Sequence, residues 1–161
     1  MVSMLRIDER LIHGQIAVAW VKTLAATHIV VINDAVAVNE MQKTALRMAT
    51  PANIKLGIRN VQEGIELLND PRAKNFEILA VVRTVEDARA VVDAVDDIKF
   101  VNIGNCGVLE KKPDSKAFSD YVKLTKEEIK ELSQINEKVP VELQLIPEHP
   151  KKSFKKLLKG E

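Results

Sequence analysis

The chain has 161 residues, 46% of them hydrophobic and 29% charged, which predicts a single globular domain spanning residues 1–161. Its 24 basic and 23 acidic residues give a formal net charge of +1, and only 4% of its residues are aromatic. This composition argues against the basic faces and stacking platforms of nucleic-acid-binding proteins. A single cysteine excludes an internal disulfide framework, and three histidines without a close pair lead us to expect no metal.

No targeting or membrane-spanning segment is visible in the sequence. Four charged residues lie within the first ten positions, and no uncharged stretch reaches about 18 residues. We therefore expect a cytoplasmic protein. The lone cysteine agrees with a reducing compartment.

Strand-like and helix-like patterns alternate along the chain. Short apolar, β-branched runs predict strands at residues 3–7, 28–32, 54–58, 78–82, 100–103, 121–124 and 141–146. Apolar stripes at helical spacing predict helices within residues 16–24, 41–48, 61–68, 88–95 and 129–135. This alternation predicts a three-layer α/β/α fold, with an open, doubly wound, mainly parallel sheet of six or seven strands and helices on both faces.

Residues 104–119 interrupt this rhythm. Two glycines, one proline and a charged run predict a long loop, too long for a routine connection. Lys111, Lys112 and Lys116 lie in it, either as a solvated surface or as charges that steer a partner. The basic tail at residues 151–156 predicts a short terminal helix or a frayed end.

The connection after the first strand concentrates reactive side chains. Ligands bind at the carboxyl ends of strands in open α/β sheets, and residues 8–15 leave such an end. His13 stands where a helix begins, so a phosphate there would meet the unpaired N–H groups of Gly14 and Gln15. Arg10 lies three residues away and can bind phosphate through its planar fork.

This arrangement suits phosphoryl transfer through histidine. A partly neutral imidazole is a nucleophile towards phosphorus, and Arg10 with a helix N-terminus would supply the charge neutralisation. The alternative is that His13 is a capping or packing residue beside a surface salt bridge.

The segment RIDERLIHGQ at residues 6–15 resembles the signature of the enzyme IIB component of the mannose/fructose/sorbose class of the bacterial phosphoenolpyruvate-dependent sugar phosphotransferase system. The usual form is R-[IV]-D-D-R-L-[IV]-H-G-Q-[IV], from which Glu9 departs with its charge kept. A match of this length is far more specific than a lone glycine motif. Further matches follow in order at residues 31–34, 48–51, 83–84, 101–105 and 141–147.

The resemblance implies roles for three residues of the motif. His13 would accept a phosphoryl group from phospho-enzyme IIA and pass it to a sugar held by the membrane subunits IIC and IID. Asp8 and Arg10 correspond to the family's other catalytic positions. IIA would be a separate polypeptide or domain, and no cofactor is implied. The sugar would be mannose, fructose, sorbose, N-acetylgalactosamine or galactosamine, held mainly by the membrane subunits, with which the chain would associate at the inner face of the membrane.

Six further residues are candidates for a supporting shell around His13. Asp34 would orient His13 or hold Arg10, or else cap a helix. Arg6 lies within the first strand, where its guanidinium has a structural role. The remaining four lie at strand ends. Arg83 and Thr84 would add a phosphate contact or cap a helix. Asn102 and Gly104 would line the crevice through their backbone groups.

Two histidines and the cysteine fall outside this group. His28 begins an apolar strand, where packing or an edge position is expected, and His149 lies in a polar tail. Cys106 is either a reactive thiol in the long loop or an incidental small residue. A second functional class stays open, a binding or regulatory module that keeps the fold and senses phosphate or a partner. The intact Asp8, Arg10 and His13 favour the enzyme.

Overall fold

The computed structural model describes residues 1–160. Its strands, in chain order, are β1 (Val2–Ile7), β2 (His28–Ile32), β3 (Lys55–Arg59), β4 (Ile78–Val82), β5 (Val101–Ile103), β6 (Lys116–Ala117), β7 (Lys123–Leu124), β8 (Val141–Leu143) and β9 (Lys152–Ser153). Its helices are α1 (Gly14–Leu24), α2 (Asp34–Ala37), α3 (Glu40–Ala49), α4 (Val61–Asn69), α5 (Val85–Ala94), α6 (Lys126–Lys138) and α7 (Phe154–Leu158). None of the helices in residues 1–160 is long and apolar enough to cross a membrane.

Seven strands form one sheet in the order β3-β2-β4-β1-β5-β8-β9. All neighbouring pairs are parallel except β8 and β9. The order confirms the predicted open, mainly parallel sheet. Because β1 lies near its centre, the connection from β1 to α1 emerges in the middle of the carboxyl edge.

Alternate side chains of the central strands enter two apolar clusters on opposite faces of the sheet. On β2, Ile29 and Val31 pack with buried residues of α1, α2 and α3. Val30 and Ile32 face the other way, towards α4, α5 and α6. This period of two is the expected pattern for a strand buried on both faces, and it confirms the three-layer arrangement.

Several predicted boundaries change in the structure. The strand predicted at residues 121–124 is reduced to β7, which pairs antiparallel with β6 in a separate ribbon. The strand predicted at residues 141–146 ends at Leu143, where the chain turns. The basic tail does form a helix, α7, after β9 has closed the edge of the sheet. The short helix α2 has too few residues to show a period in the sequence.

Most helices begin at a polar side chain that accepts a backbone N–H from the first turn. These caps are Asn33, Asn39, Asn60, Thr84, Thr125 and Ser153. Thr125 and Glu128 form a capping box, in which each side chain accepts the backbone N–H of the other residue. Helix α1 differs, since its N-cap residue is His13, whose side chain makes no capping hydrogen bond. The first turn of α1 is therefore open to a ligand.

Candidate active site

The connection between β1 and α1 is a tight turn with two apolar anchors. The N–H of Leu11 donates to the Asp8 carbonyl at 3.0 Å, and Leu11 has a positive φ of 58°. The side chains of Leu11 and Ile12 are buried in the cluster that contains Trp20. These two buried side chains fix the turn against the core, and the exposed His13 lies at the end of the turn.

His13 presents its imidazole at the open start of α1. Its carbonyl accepts the N–H of Ile16 at 2.9 Å and that of Ala17 at 3.2 Å, so the backbone already belongs to the helix. Gly14 and Gln15 follow, both exposed, and no side chain within residues 1–160 covers their N–H groups. An anion beside His13 would meet these groups and the positive end of the helix dipole.

Arg10 contacts His13 directly. Its Nη1 lies 3.0 Å from the Nε2 of the imidazole. A guanidinium only donates, so this contact suits an imidazole whose Nε2 accepts. Both side chains are exposed. The structure therefore brings the two predicted residues together and places a permanent positive charge at the ring nitrogen.

Asp8 has no hydrogen bond to His13, and the catalytic role that the resemblance implied stays a prediction. It is fully buried, and its Oδ1 accepts the backbone N–H of Arg10 at 2.9 Å. Its Oδ2 accepts from Nη2 of Arg6, also at 2.9 Å, and the Asn105 amide lies 3.4 Å from it. Asp8 is a positioning residue, because it fixes the backbone from which Arg10 reaches His13.

Arg6 is the buried centre of a polar network, in agreement with its predicted structural role. Besides Asp8 it donates to the Asn102 side chain and to the carbonyls of Gln144, at 3.3 Å, and Leu145, at 3.1 Å. Burial lowers the pKa of the Arg6 guanidinium from its ordinary value, and the neighbouring Asp8 carboxylate opposes that effect. The network satisfies a charge that would otherwise be costly to bury.

Two predictions for the end of β5 need correction. Asn102 was expected to line the crevice through its backbone, yet its buried side chain binds Arg6 and the Gln144 carbonyl. Gly104 has a steric role, since a Cβ there would lie 2.2 Å from Nη2 of Arg6 and 2.9 Å from Oδ2 of Asp8. Only glycine leaves room for this ion pair.

The other predicted supporting residues do not reach His13. Asp34 accepts the N–H of Val61 at 2.9 Å and has no hydrogen bond to Arg10 or His13 within residues 1–160, so its orienting role stays a prediction that no contact supports. It does not cap α2 either, because Asn33 does. The Thr84 hydroxyl caps α5, and Arg83 lines a cavity of about 320 Å³ beside Thr84.

The remaining histidines and the cysteine lie apart from this site. His28 begins β2 at the amino edge of the sheet, opposite His13, and its ring stacks on Phe76 with centroids 4.4 Å apart. The backbone carbonyl of the exposed His149 accepts from Gln144 at 2.6 Å. Cys106 is buried, and burial raises the pKa of its thiol to about 12. That thiol is therefore unreactive.

Three residues that the sequence analysis missed complete the support of the site. Trp20 donates its indole N–H to the Leu145 carbonyl at 3.1 Å, and its ring centroid lies 5.7 Å from the Arg6 guanidinium. Gln144 and Asn105 bind Arg6 and Asp8, as described above. The available signal for Asn105 and Gln144 was their position in the family-matching segments 101–105 and 141–147, whereas Trp20 fits an ordinary apolar helix stripe.

A family model described as the PTS system sorbose subfamily IIB component matches residues 2–161. The chain belongs to this family. It is a IIB component of a bacterial sugar phosphotransferase system, of the mannose/fructose/sorbose class, and its place in phosphoryl transfer and sugar transport follows from the family. Family membership also implies partnership with a IIA component and with membrane IIC and IID components.

Individual relatives agree with this assignment. The IIB chain is 45% identical over 117 residues to a probable phosphotransferase enzyme IIB component of Streptococcus pyogenes serotype M6, a match that covers 72% of each protein. It is 29% identical to the fructose-specific EIIB component of Bacillus subtilis, over 96% of this chain and 94% of that protein.

The same fold occurs in a solved structure. The IIB domain of the sorbose permease from Klebsiella pneumoniae superposes with a TM-score of 0.90 at 24% identity, covering 99% of this chain and 97% of that one. At this identity the likeness shows the fold alone.

Proposed function

We propose that His13 carries the phosphoryl group. One observation supports this most strongly: an exposed imidazole at the open start of α1 with the Arg10 guanidinium 3.0 Å from its Nε2. The imidazole supplies the nucleophile, and the arginine with the N–H groups of Gly14 and Gln15 supplies the charge that phosphoryl transfer requires.

The first transfer takes the group from phospho-IIA. A ring nitrogen of His13 attacks phosphorus, a new N–P bond forms, and the N–P bond to the donor's histidine breaks with its electron pair returning to the donor imidazole. Arg10 moves off Nε2 and binds the phosphoryl oxygens through its planar fork. The resting contact between Arg10 and His13 keeps the guanidinium within reach of that position.

The second transfer gives the group to the sugar. A sugar hydroxyl oxygen bonds to phosphorus as the N–P bond of phospho-His13 breaks, and the electron pair of that bond returns His13 to its neutral form. The hydroxyl proton passes to water. The sugar is held by IIC and IID at the inner face of the membrane, which places this IIB component in the cytoplasm. Both partners must bring their reacting group to His13, so we expect them to compete for the carboxyl edge of the sheet.

Incubation with phosphoenolpyruvate and the upstream carrier proteins, including IIA, tests the proposal. We expect the mass of the intact chain to rise by one phosphoryl group, with acid-labile label that transfers to sugar when membranes containing IIC and IID are added. A chain that binds IIA and takes up no phosphoryl group would instead be a regulatory module.

A further inference from the structure

Glu9 connects the active-site turn to a segment 98 to 100 residues further along the chain. Its Oε1 accepts the N–H of Gly107 at 2.8 Å, and its Oε2 accepts those of Val108 at 3.2 Å and Leu109 at 2.9 Å. Its own N–H donates to the Asn105 carbonyl at 2.8 Å. Three consecutive backbone donors thus converge on one carboxylate, which makes these charge-assisted bonds strong.

The segment has few other attachments. Residues 104–115 contain no helix or strand, and the nearest backbone bonds join Cys106 to Tyr121 and Lys123. Gly107 has a φ of 77°, and a Cβ there would lie 2.0 Å from the Lys123 carbonyl oxygen. The conformation of the three residues that follow Cys106 therefore depends on Gly107 and on the Glu9 carboxylate.

The length of the Glu9 side chain decides whether these bonds form. An aspartate at this position would be shorter by one methylene, about 1.5 Å. On the same backbone it could not reach the three N–H groups without a shift of the segment. The length of the glutamate side chain is therefore matched to this loop.

The segment that Glu9 holds presents side chains suited to a protein contact. The Leu109 side chain is 57% exposed, and Glu110 and Lys111 beside it are exposed too. Because Glu9 directly precedes Arg10, these side chains lie at the same edge of the sheet as His13. An exposed apolar residue with a charged surround is typical of the contact surfaces of transient complexes.

We propose that Glu9 is a positioning residue that holds residues 107–109 as a docking rim for the IIA protein. The proposal rests on the proposed function for the identity of the partner. Since Asp8, and not Glu9, fixes the backbone of Arg10, loss of the Glu9 bonds should weaken docking and leave the chemical step intact.

Two measurements on Glu9→Asp test this, with Glu137→Asp as the matched control. Glu137 is an exposed residue in the last turns of α6, near the opposite edge of the sheet. The first measurement is the Kd of unphosphorylated IIA for the chain by calorimetry, which needs no phosphoryl transfer. The second is the rate of His13 phosphorylation against phospho-IIA concentration, by rapid quench.

For Glu9→Asp we expect the Kd and the half-saturating phospho-IIA concentration to rise about tenfold, with a maximal rate within about twofold of wild type. The control should match wild type in both. Hydrogen exchange should show that the amides of residues 107–109 have lost protection while the thermal midpoint changes little.

Lost amide protection with an unchanged Kd would overturn the docking role and leave Glu9 as a loop anchor only. A fall in the maximal rate at an unchanged half-saturating concentration would overturn it as well. If the Kd depends on Glu9 and His13 takes up no phosphoryl group, the docking proposal stands and the transfer proposal fails.

Discussion

Arg6 and Asp8 form an ion pair of 2.9 Å that is almost excluded from water, with side chains 3% and 1% exposed. They lie two residues apart at the end of β1, and the second oxygen of Asp8 holds the backbone N–H of Arg10. A chain of contacts therefore runs from the Gln144 and Leu145 carbonyls through Arg6 and Asp8 to the surface arginine beside His13. His13 and Arg10 are exposed, whereas the ion pair that positions Arg10 is buried.

The close approach of the ion pair to Gly104 makes a steric prediction. Gly104→Ala should destabilise the fold by about 3 kcal/mol or more, because the new methyl group would meet the guanidinium and carboxylate of a buried pair. Gly57→Ala is the control, since a Cβ at Gly57 has its nearest neighbour at 3.9 Å. Urea denaturation measures both. Equal stability of the two variants would show that the pair moves aside at no cost.

Removing one partner of this ion pair should lower the free energy of unfolding by more than the intact pair contributes to it. Asp8→Asn leaves the buried Arg6 charge without its counter-charge, and we expect a loss of about 3–5 kcal/mol of unfolding free energy. Glu40→Gln, which breaks an exposed pair with Lys43, should change stability little. If Asp8→Asn folds as stably as wild type, Asn102 and the two carbonyls alone satisfy Arg6.

Much of this arrangement could be predicted from the sequence, and what could not has specific physical causes. The apolar runs located every strand in the central part of the sheet, because strands buried on both faces leave continuous apolar runs. The helical stripes located the longer helices and missed α2. The motif around His13 located the exposed histidine and the arginine that contacts it. These elements could be predicted because each is formed by residues that are close together in the sequence.

Contacts between segments that are far apart in the sequence could not be predicted in this way. No local pattern shows that Gln144 and Leu145 turn their carbonyls towards Arg6, about 140 residues earlier in the chain. Asp34 was predicted near His13 because it ends a strand, yet its carboxylate accepts the N–H of Val61. The resemblance likewise marked Asp8 as important without showing that it acts from beneath the surface.

The loop lysines need a narrower role than the sequence suggested. Lys112 lies 3.4 Å from Glu128, and the Lys116 ammonium lies 5.2 Å from the centroid of the Phe118 ring. Lys112 is therefore paired within the chain, whereas the ring contact of Lys116 leaves its charge uncompensated. Neither Lys111 nor Lys116 has an ion-pair partner within residues 1–160, so any electrostatic steering of IIA by this loop falls mainly to these two lysines.

Arg10 should matter for transfer and hardly at all for folding. Arg10→Ala should slow phosphorylation of His13 by about 10²–10³-fold, since a charge aimed at the transferring group is lost. Its unfolding free energy should stay within about 0.5 kcal/mol of wild type, because the side chain is exposed. Arg10→Lys should recover only part of the rate, since an ammonium lacks the planar fork. Transfer by Arg10→Ala at the wild-type rate would make Arg10 a surface charge.

The Cys106 thiol should resist modification in the folded protein. Burial raises its pKa to about 12, so almost no thiolate exists at neutral pH. We expect no reaction with a maleimide at pH 7, little increase up to pH 9, and complete reaction once the chain is unfolded in guanidinium chloride. Rapid labelling of the native protein at pH 7 would show that the segment around Cys106 opens in solution.

Phosphorylation of His13 decides whether this histidine carries the phosphoryl group. Wild type, His13→Gln and a His28→Gln/His149→Gln double variant are each incubated with phosphoenolpyruvate, the general carrier proteins and IIA, and their intact masses are measured. We expect one phosphoryl group on wild type and on the double variant, and none on His13→Gln, whose thermal midpoint should equal that of wild type. Label that persists on a folded His13→Gln chain, or disappears from the double variant, would contradict the account.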